Sequence, residues 1–248
     1  DDHTYTFGRI GTHNIVLSCL PIGQYGTNAA SAVATTLRRK FSCIRFGLLV
    51  GIGGGVPSSD ADIRLGDVVV STPTGSFGGV IQYDMGKLTP HGFVRTGSLN
   101  SPPQVLLNAV STMMSRNYLG VDRISENLVV FDMLPTFSRE NAGPDILYEG
   151  GTPKVRPQRN STNPSIHYGT IASGNTVIKD SSARDRISRE LNGVLCFEME
   201  TAGLMNNFPC LVIRGISDYS DSHKTKNWQP YAAAVAAAYA KDLMSVIP

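Results

Sequence analysis

Three short segments hold residues whose types and spacing suit chemistry. Gly51-Ile52-Gly53-Gly54-Gly55 directly follows an apolar run. Successive glycines let backbone N–H groups approach an anion or a sugar that side chains would hold off. A tight turn within a sheet accounts for them equally well. No Lys-Ser/Thr follows, as in a Walker loop, and Pro57-Ser58 stands where a dinucleotide-binding turn would begin its helix. Phe197-Glu198-Met199-Glu200 puts two carboxylates just after a strand, at a predicted helix start, where the helix dipole favours negative charge with no ligand needed. Such a carboxylate also suits the crevice beyond the strand ends, where open α/β sheets bind ligands. Two residues apart, Glu198 and Glu200 point to different faces and play different parts, and spacing does not choose between them. Arg214-Gly215-Ile216-Ser217-Asp218-Tyr219-Ser220-Asp221 follows another strand. Its Asp and Ser residues shape a turn, or Asp218 serves as a general acid.

The elements that must position these segments read as α/β. Asn14 to Leu20 is predicted as a buried strand, with a turn at Pro21, Gly23 and Gly26. A helix capped by Thr27 or Asn28 runs to about Lys40, and Ile44 to Val50 is the next strand. Together these predict a right-handed βαβ unit with parallel strands. Strands are expected at Asp67–Ser71, Tyr168–Ala172, Val194–Phe197 and Cys210–Arg214, with helices over 102–116 and from about Glu198. Tyr231, Val235, Tyr239 and Leu243 recur at helical spacing in a closing Ala-rich helix to about Val246. Residues 135–166 are rich in Pro, Gly, Asn and Ser, lack periodicity and read as a loop insertion, a lid rather than a second domain.

The 248 residues fit one α/β domain, and a 41% apolar, 17% charged composition is that of a globular chain. A net charge of +2 argues against a nucleic-acid groove or a membrane patch. No apolar run is long enough to span a bilayer and no signal peptide is visible, so a cytoplasmic location is expected. The chain opens at Asp1 rather than Met and is read as having a trimmed or partial N-terminus. Cys19, Cys43, Cys196 and Cys210 form no CxxC pair and are expected to be buried thiols, not metal ligands or disulfides. Asn160-Ser161-Thr162 is a chance sequon.

The ordered set GIGGG, IRLGDVVVS, IASGN, CFEMETAGL and VIRGISDYSD resembles the nucleoside phosphorylase and nucleosidase superfamily over nearly the whole chain. VGIGGGVP, RLGDVVVS, IHYGTIASGN and QPYAAAVAAAYAK carry a closer resemblance to a fungal-type branch found at the front of larger immune-like proteins. The resemblance implies a single domain with a mixed, partly barrel-like central sheet flanked by helices, lacking the family's first strand. It implies cleavage of the N-glycosidic bond of a purine nucleoside or nucleotide, without cofactor or metal, in a homo-oligomer. Asp218 would protonate the leaving base, with burial favouring its neutral form and Ser217 orienting it; Glu200 would hold the ribose hydroxyls. Met199 would line the sugar. Phe197, Glu198, Ser173, Gly174, Asn175 and Val177 would frame the substrate, with Val177 standing where relatives have an aromatic residue. Gly53 and Gly54 would offer backbone N–H groups. Tyr83 and Asp84 would reach a site, across a subunit interface.

Family phosphorylases bind phosphate with an Arg and a Ser or Thr where this chain has Leu49 and Ile52. The resemblance therefore favours water as nucleophile. Family nucleosidases activate it with a Glu on the first strand, expected upstream of Asp1. Asp218, where relatives restricted to 6-oxopurines have Asn, points to adenine. Arg64, Arg95, Lys154, Arg156 and Arg159 are candidates to meet 5′ phosphates, or plain surface charge. The alternatives are a phosphorylase and a non-catalytic nucleotide-sensing or oligomerising module.

Overall fold

The computed structural model describes residues 2–121 and 123–248. In chain order the elements are β1 (Tyr5–Ile10), β2 (His13–Ser18), α1 (Thr27–Lys40), β3 (Gly47–Gly55), β4 (Val68–Ser71), β5 (Val80–Gln82), β6 (Gly86–Thr89), β7 (Gly92–Arg95), α2 (Gln104–Tyr118), α3 (Ile124–Leu128), β8 (Tyr148–Glu149), β9 (Thr152–Pro153), β10 (Ile166–Gly169), β11 (Ile171–Ser173), α4 (Ser181–Glu190), β12 (Cys196–Glu198), β13 (Cys210–Asp218) and α5 (Gln229–Met244). A seven-stranded mixed sheet in the order β10-β4-β13-β3-β12-β11-β5 forms the centre. Only Thr170 separates β10, at one end of that order, from β11, next to the other end. The two strand ends are therefore two Cα steps apart, at most about 7 Å, so the sheet must curl round to bring its ends together. The result is the half-barrel α/β domain implied by the family resemblance.

The core follows from the apolar pattern. Tyr231, Val235, Tyr239 and Leu243 of α5 are all buried, packed with Val68, Val70, Leu211 and Ile213 of the sheet. Each such fully buried aliphatic contributes about 1.5–3 kcal/mol. A second cluster on the other side joins Ile63, Val69, Ile171, Met205, Val212 and Ile216. β13 is buried along its whole nine-residue length because α5 covers it and β3 and β4 flank it. Among the described residues no helix is long and apolar enough to cross a membrane.

Several sequence expectations need correction. The βαβ unit does not form: β2 pairs antiparallel with β1 across the two-residue turn Gly11-Thr12, in a two-stranded sheet of its own. A neighbour so close in sequence captures the strand, and Leu17 remains exposed. The glycine run is neither a loop nor a turn but the second half of β3. The expected strand Tyr168–Ala172 is two strands, β10 on β4 and β11 between β12 and β5. The helix expected from Glu198 is a single 3-10 turn, Thr201–Gly203. Gly203 lies against the first turn of α1, where even a Cβ would meet the Thr27 carbonyl, and Pro209 closes the segment. α1 begins at Gly26 without a side-chain cap from Thr27 or Asn28. Cys196 and Cys210 are buried, but Cys19 and Cys43 are exposed, because they lie in the turns after β2 and α1.

Segment 135–166 contains two 3-10 turns and the β8–β9 hairpin. Its arginines point inward. Arg156 bonds Asp145, the Ile63 carbonyl and the Tyr219 hydroxyl. Arg159 makes a two-pronged pair with Asp67 at 2.7 and 2.8 Å. Arg64 pairs with Asp62, and Lys154 with Glu149. Of the basic residues considered for phosphate contact, Arg64, Lys154, Arg156 and Arg159 are thus committed to carboxylates of the chain, whereas Arg95 donates to the Gly97 carbonyl and lies over the Phe77 ring. A lid would have to break the Arg156 and Arg159 bonds to open.

Candidate active site

β13 carries Asp218 to the end of the sheet. Pairing with β3 runs in register from Cys210↔Gly47 to Ile216↔Gly53, then slips so that Asp218 faces Gly54. Ser217 is the extra residue of this bulge, and a bulge re-aims the side chain beside it. The Asp218 carboxylate lies over the glycine half of β3. A Cβ on Gly54 would sit 2.8 Å from Asp218 Oδ1 and 2.1 Å from Ser220 Oγ, so only glycine lets the acid approach the strand. The same holds at Gly51, where a Cβ would fall 2.3 Å from a guanidinium nitrogen of Arg214. None of residues 51–55 needs positive φ; the run is glycine for space, not for turn geometry.

The Asp218 side chain is 2% exposed. Burial is only half of its surroundings. Oδ1 accepts the Ser220 N–H at 2.9 Å, and Oδ2 accepts the Ser217 hydroxyl at 3.0 Å. Lys224 Nζ stands 3.0 Å from Oδ2. Ser220 adopts φ 52 to fold the chain back in this way, a backbone cost of about 1–3 kcal/mol that persists where surroundings over-determine it. The surroundings do: Arg184 of α4 donates to the Tyr219 carbonyl at 2.8 Å. The Tyr219 hydroxyl donates to Asp145 and accepts from Arg156 and from Leu65 N–H.

Two strands away, Glu198 and Glu200 do play different parts. Glu198 is buried at the end of β12, accepts the N–H groups of Glu200 and Thr201, and pairs with Arg214 at 2.5 Å. It braces the turn. Glu200 stays partly exposed, pairs with Arg214 at 3.3 Å and is reached by the Gly26 amide. Burial pushes the Glu200 carboxyl above the usual carboxylate value; Arg214 pulls it down, and Glu198 adds to the push. Arg214 is itself buried, and among the described residues its Nε meets no acceptor.

The remaining candidates form a wall on the far side of β12 from Asp218, around the ends of β11 and β5. Gly174 abuts Tyr83 and Asp84. Asn175 donates its N–H to Asp84 at 2.7 Å and accepts from Thr27 N–H and hydroxyl at the start of α1. Ser173 is buried with its hydroxyl taken by Ala202 N–H, so it supports the wall rather than facing a ligand through that group. Tyr83 crosses Phe197 edge-on at 5.5 Å and donates to the Thr176 carbonyl; burial, with Asp84 adding, pushes its hydroxyl up to about 12. Tyr83 and Asp84 thus reach the wall of their own subunit. Val177, 43% exposed, stands at the rim, and Met199 is half-buried beside Glu200. Among the described residues no group of three or more His, Cys, Asp or Glu side chains gathers to hold a metal ion.

Sequence reasoning missed Arg214 and Lys224. Arg214 had a signal: a charge in the middle of an apolar strand requires a buried partner. Lys224 had none, because its place depends on the left-handed turn at Ser220.

The comparisons with known proteins bear on the family and the fold. The chain is 49% identical to a nucleotide-binding leucine-rich repeat (NLR)-like protein of Hyaloscypha variabilis, over all of this chain and 26% of that protein. It is 26% identical to the ATP nucleosidase Cap17 of Escherichia coli, over 88% of this chain and 39% of that protein. The chain therefore spans between about a quarter and two-fifths of the length of these two relatives. Its fold matches that of a mutant Helicobacter pylori MTAN with 5′-methylthioadenosine in the active site, with a TM-score of 0.65 at 15% identity, covering 99% of this chain and 86% of that one. Curled sheet, glycine strand and bulged aspartate strand stand together in a chain that matches one family over residues 1–246: it belongs to the phosphorylase superfamily.

Proposed function

We propose that the chain hydrolyses the N-glycosidic bond of an adenine nucleoside or nucleotide, with water as nucleophile and Asp218 protonating the leaving base. The observation that supports this best is Asp218 re-aimed over Gly54 by the bulge in β13, on the same glycine strand that Arg214, the partner of Glu200, approaches at Gly51. Bond breaking builds positive charge on the sugar, as in glycoside hydrolysis generally. A carboxylate at Glu200 gains most from that charge in the transition state, so it aids the reaction selectively. Proton donation to the purine removes the need for an anionic leaving group and is worth roughly 10²–10⁴-fold.

Water is favoured over phosphate by what surrounds the glycine strand. Phosphate must exchange its hydration for charge-assisted bonds. Leu49 and Ile52 offer none, and the nearby guanidinium of Arg214 is committed to two carboxylates. Arg45 donates to the Pro248 carbonyl, and Arg95 to that of Gly97. Along Gly47–Gly53 the described partner of β3 is β13 alone. That free edge beside the glycines is where we place the strand on which the family resemblance puts a water-activating glutamate.

Relatives named for ATP and for 5′-methylthioadenosine differ at the 5′ end, so the test is a panel. Full-length protein is incubated with adenosine, 5′-methylthioadenosine, AMP, ATP, inosine and guanosine, with and without phosphate, and products are separated by chromatography. Free adenine with a sugar bearing no 1-phosphate is the expected result. A 1-phosphorylated sugar rising with phosphate concentration would overturn hydrolysis, and cleavage of inosine or guanosine alone would overturn the base assignment.

A further inference from the structure

The geometry points to Lys224 as the proton source behind Asp218, a positioning and relay residue that recharges a buried acid from solvent. The inference rests on the reading of Asp218 as the acid, and concerns how that acid obtains its proton.

Asp218 is almost sealed from water, whereas the Lys224 side chain, with its Nζ 3.0 Å from Oδ2, is 27% exposed. The two carboxylate oxygens are divided between two sides. Oδ1 lies over Gly54 and takes the Ser220 N–H. Oδ2 takes the Ser217 hydroxyl and the ammonium. One oxygen thus faces the glycine strand and the other faces the supply of protons. The loop that brings Lys224 here is built, not loose. His223 N–H donates to Asp221 Oδ1 at 3.0 Å, Lys224 N–H to the Asp221 carbonyl at 3.3 Å, and the His223 ring stacks flat on Tyr148 of β8 with centroids 3.6 Å apart.

The step balances. The bond from C1′ to the base nitrogen breaks and its electron pair goes to the purine. A ring nitrogen takes a proton from Asp218, and Asp218 takes one from the Lys224 ammonium. Water adds its oxygen to C1′, and the proton it loses returns through solvent to Lys224. One water is consumed, and free base and free sugar leave. A purine that leaves with the bond's electron pair is far more basic than a carboxylate, so a lysine ammonium is a competent ultimate donor. Arginine would supply the same charge but not the proton, since its guanidinium stays protonated.

The charged and titratable groups about the pair are Asp221 and His223 on the same loop, Tyr148 from β8, Arg184 from α4 at the Tyr219 carbonyl, Glu198 and Cys196 on β12, and Arg214 on β13. An alkaline limb in the rate must be assigned to Lys224 against these, which substitution does. Lys224→Arg and Lys224→Ala are compared with wild type in the full chain by adenine release from ATP and 5′-methylthioadenosine across pH, with circular dichroism as the folding check. Expected is a loss of about 10²-fold in both, disappearance of the wild-type alkaline limb, and partial recovery of Lys224→Ala by added ethylammonium but not by guanidinium. Lys224→Arg at wild-type rate with an unchanged alkaline limb would overturn the relay. Asp218→Asn, run alongside, separates the two readings. Full activity in that variant sinks the acid itself, whereas an inactive Asp218→Asn beside a fully active Lys224→Arg sinks only the relay.

Discussion

Replacing Gly54 by alanine adds one methyl group to the strand beneath the acid. The Cβ would lie 2.1 Å from Ser220 Oγ and 2.8 Å from Asp218 Oδ1, both inside any tolerated carbon–oxygen contact. The Ser220 hydroxyl is a single-atom rotor, but Ser220 is buried at φ 52, and its N–H holds Asp218 Oδ1. Swinging the hydroxyl away relieves the first clash and not the second. Asp218 must then back off by several tenths of an ångström, against the bonds from Ser220, Ser217 and Lys224. Overpacking of this kind costs about 1–3 kcal/mol in stability. A displacement approaching 1 Å at a reacting group costs about 10²-fold in rate. Adenine release and urea unfolding measure the two effects separately. The double variant Gly54→Ala/Ser220→Gly removes the closer contact and the positive-φ strain together. It is expected to recover part of both losses, a non-additivity that contacting residues show. Wild-type rate and stability in Gly54→Ala, or strictly additive effects in the double variant, would refute the account of why the strand is glycine.

Glu200→Gln should lower kcat/KM by about 10- to 10²-fold, the worth of a charge-assisted hydrogen bond of roughly 1.5–3 kcal/mol. Since burial raises the Glu200 carboxyl, the functional carboxylate appears only above the usual glutamate value of about 4.3. The acid limb of kcat/KM should lie above that value in wild type and vanish in the glutamine variant; a limb at or below it argues against Glu200. For Asp67, burial would raise the carboxyl, but hydrogen bonds and charge from His167 and Arg159 win and hold it below the usual range. A depressed carboxylate contributes stability above its unfolded value of about 3.9, lost as pH falls through the folded one. Asp67→Asn should therefore cost about 3–5 kcal/mol at pH 7. In urea unfolding, its gap to wild type should narrow in acid below about pH 4; a gap constant with pH contradicts the assignment.

Much of the frame was legible in the sequence. The apolar spacing of Tyr231, Val235, Tyr239 and Leu243 identified the buried face of α5, and the ordered motifs identified the curled sheet. What the sequence hid were effects of tertiary pairing. Nothing local says that Gly51–Gly55 continue a strand, because the reason is the proximity of Arg214, Asp218 and Ser220 from β13 and the turn beyond it. Nothing local splits β10 from β11 at Thr170, because the split follows from closure of the sheet. Asp218 was visible as a carboxylate beyond a strand, but its ammonium partner was not. Segment 135–166 reads as a loop insertion because it is rich in Pro, Gly, Asn and Ser and lacks periodicity; the carboxylates that anchor Arg156 and Arg159 are brought to them by the fold and leave no local signal.

That segment has a more specific part in the fold. Arg156 and Asp145 converge on the Tyr219 hydroxyl, and Tyr148 stacks on His223. The segment therefore holds residues on both sides of Ser220, the strained residue next to the acid. A side chain that cannot reach, as in Arg156→Met, would leave Asp145 facing Tyr219 without its cation. At 11% and 15% side-chain exposure, the Arg156–Asp145 pair lies between a surface pair at about 1 kcal/mol and a buried one at about 3–5 kcal/mol. The cost should fall in that interval and appear locally. Amide hydrogen exchange is the measurement: in wild type, Leu147 to Lys154 and Tyr219 to Lys224 should be protected together. In Arg156→Met both spans should exchange faster, while α5 stays unchanged. Faster exchange confined to 135–166, with Tyr219 to Lys224 untouched, would show that the segment covers the acid loop without holding it.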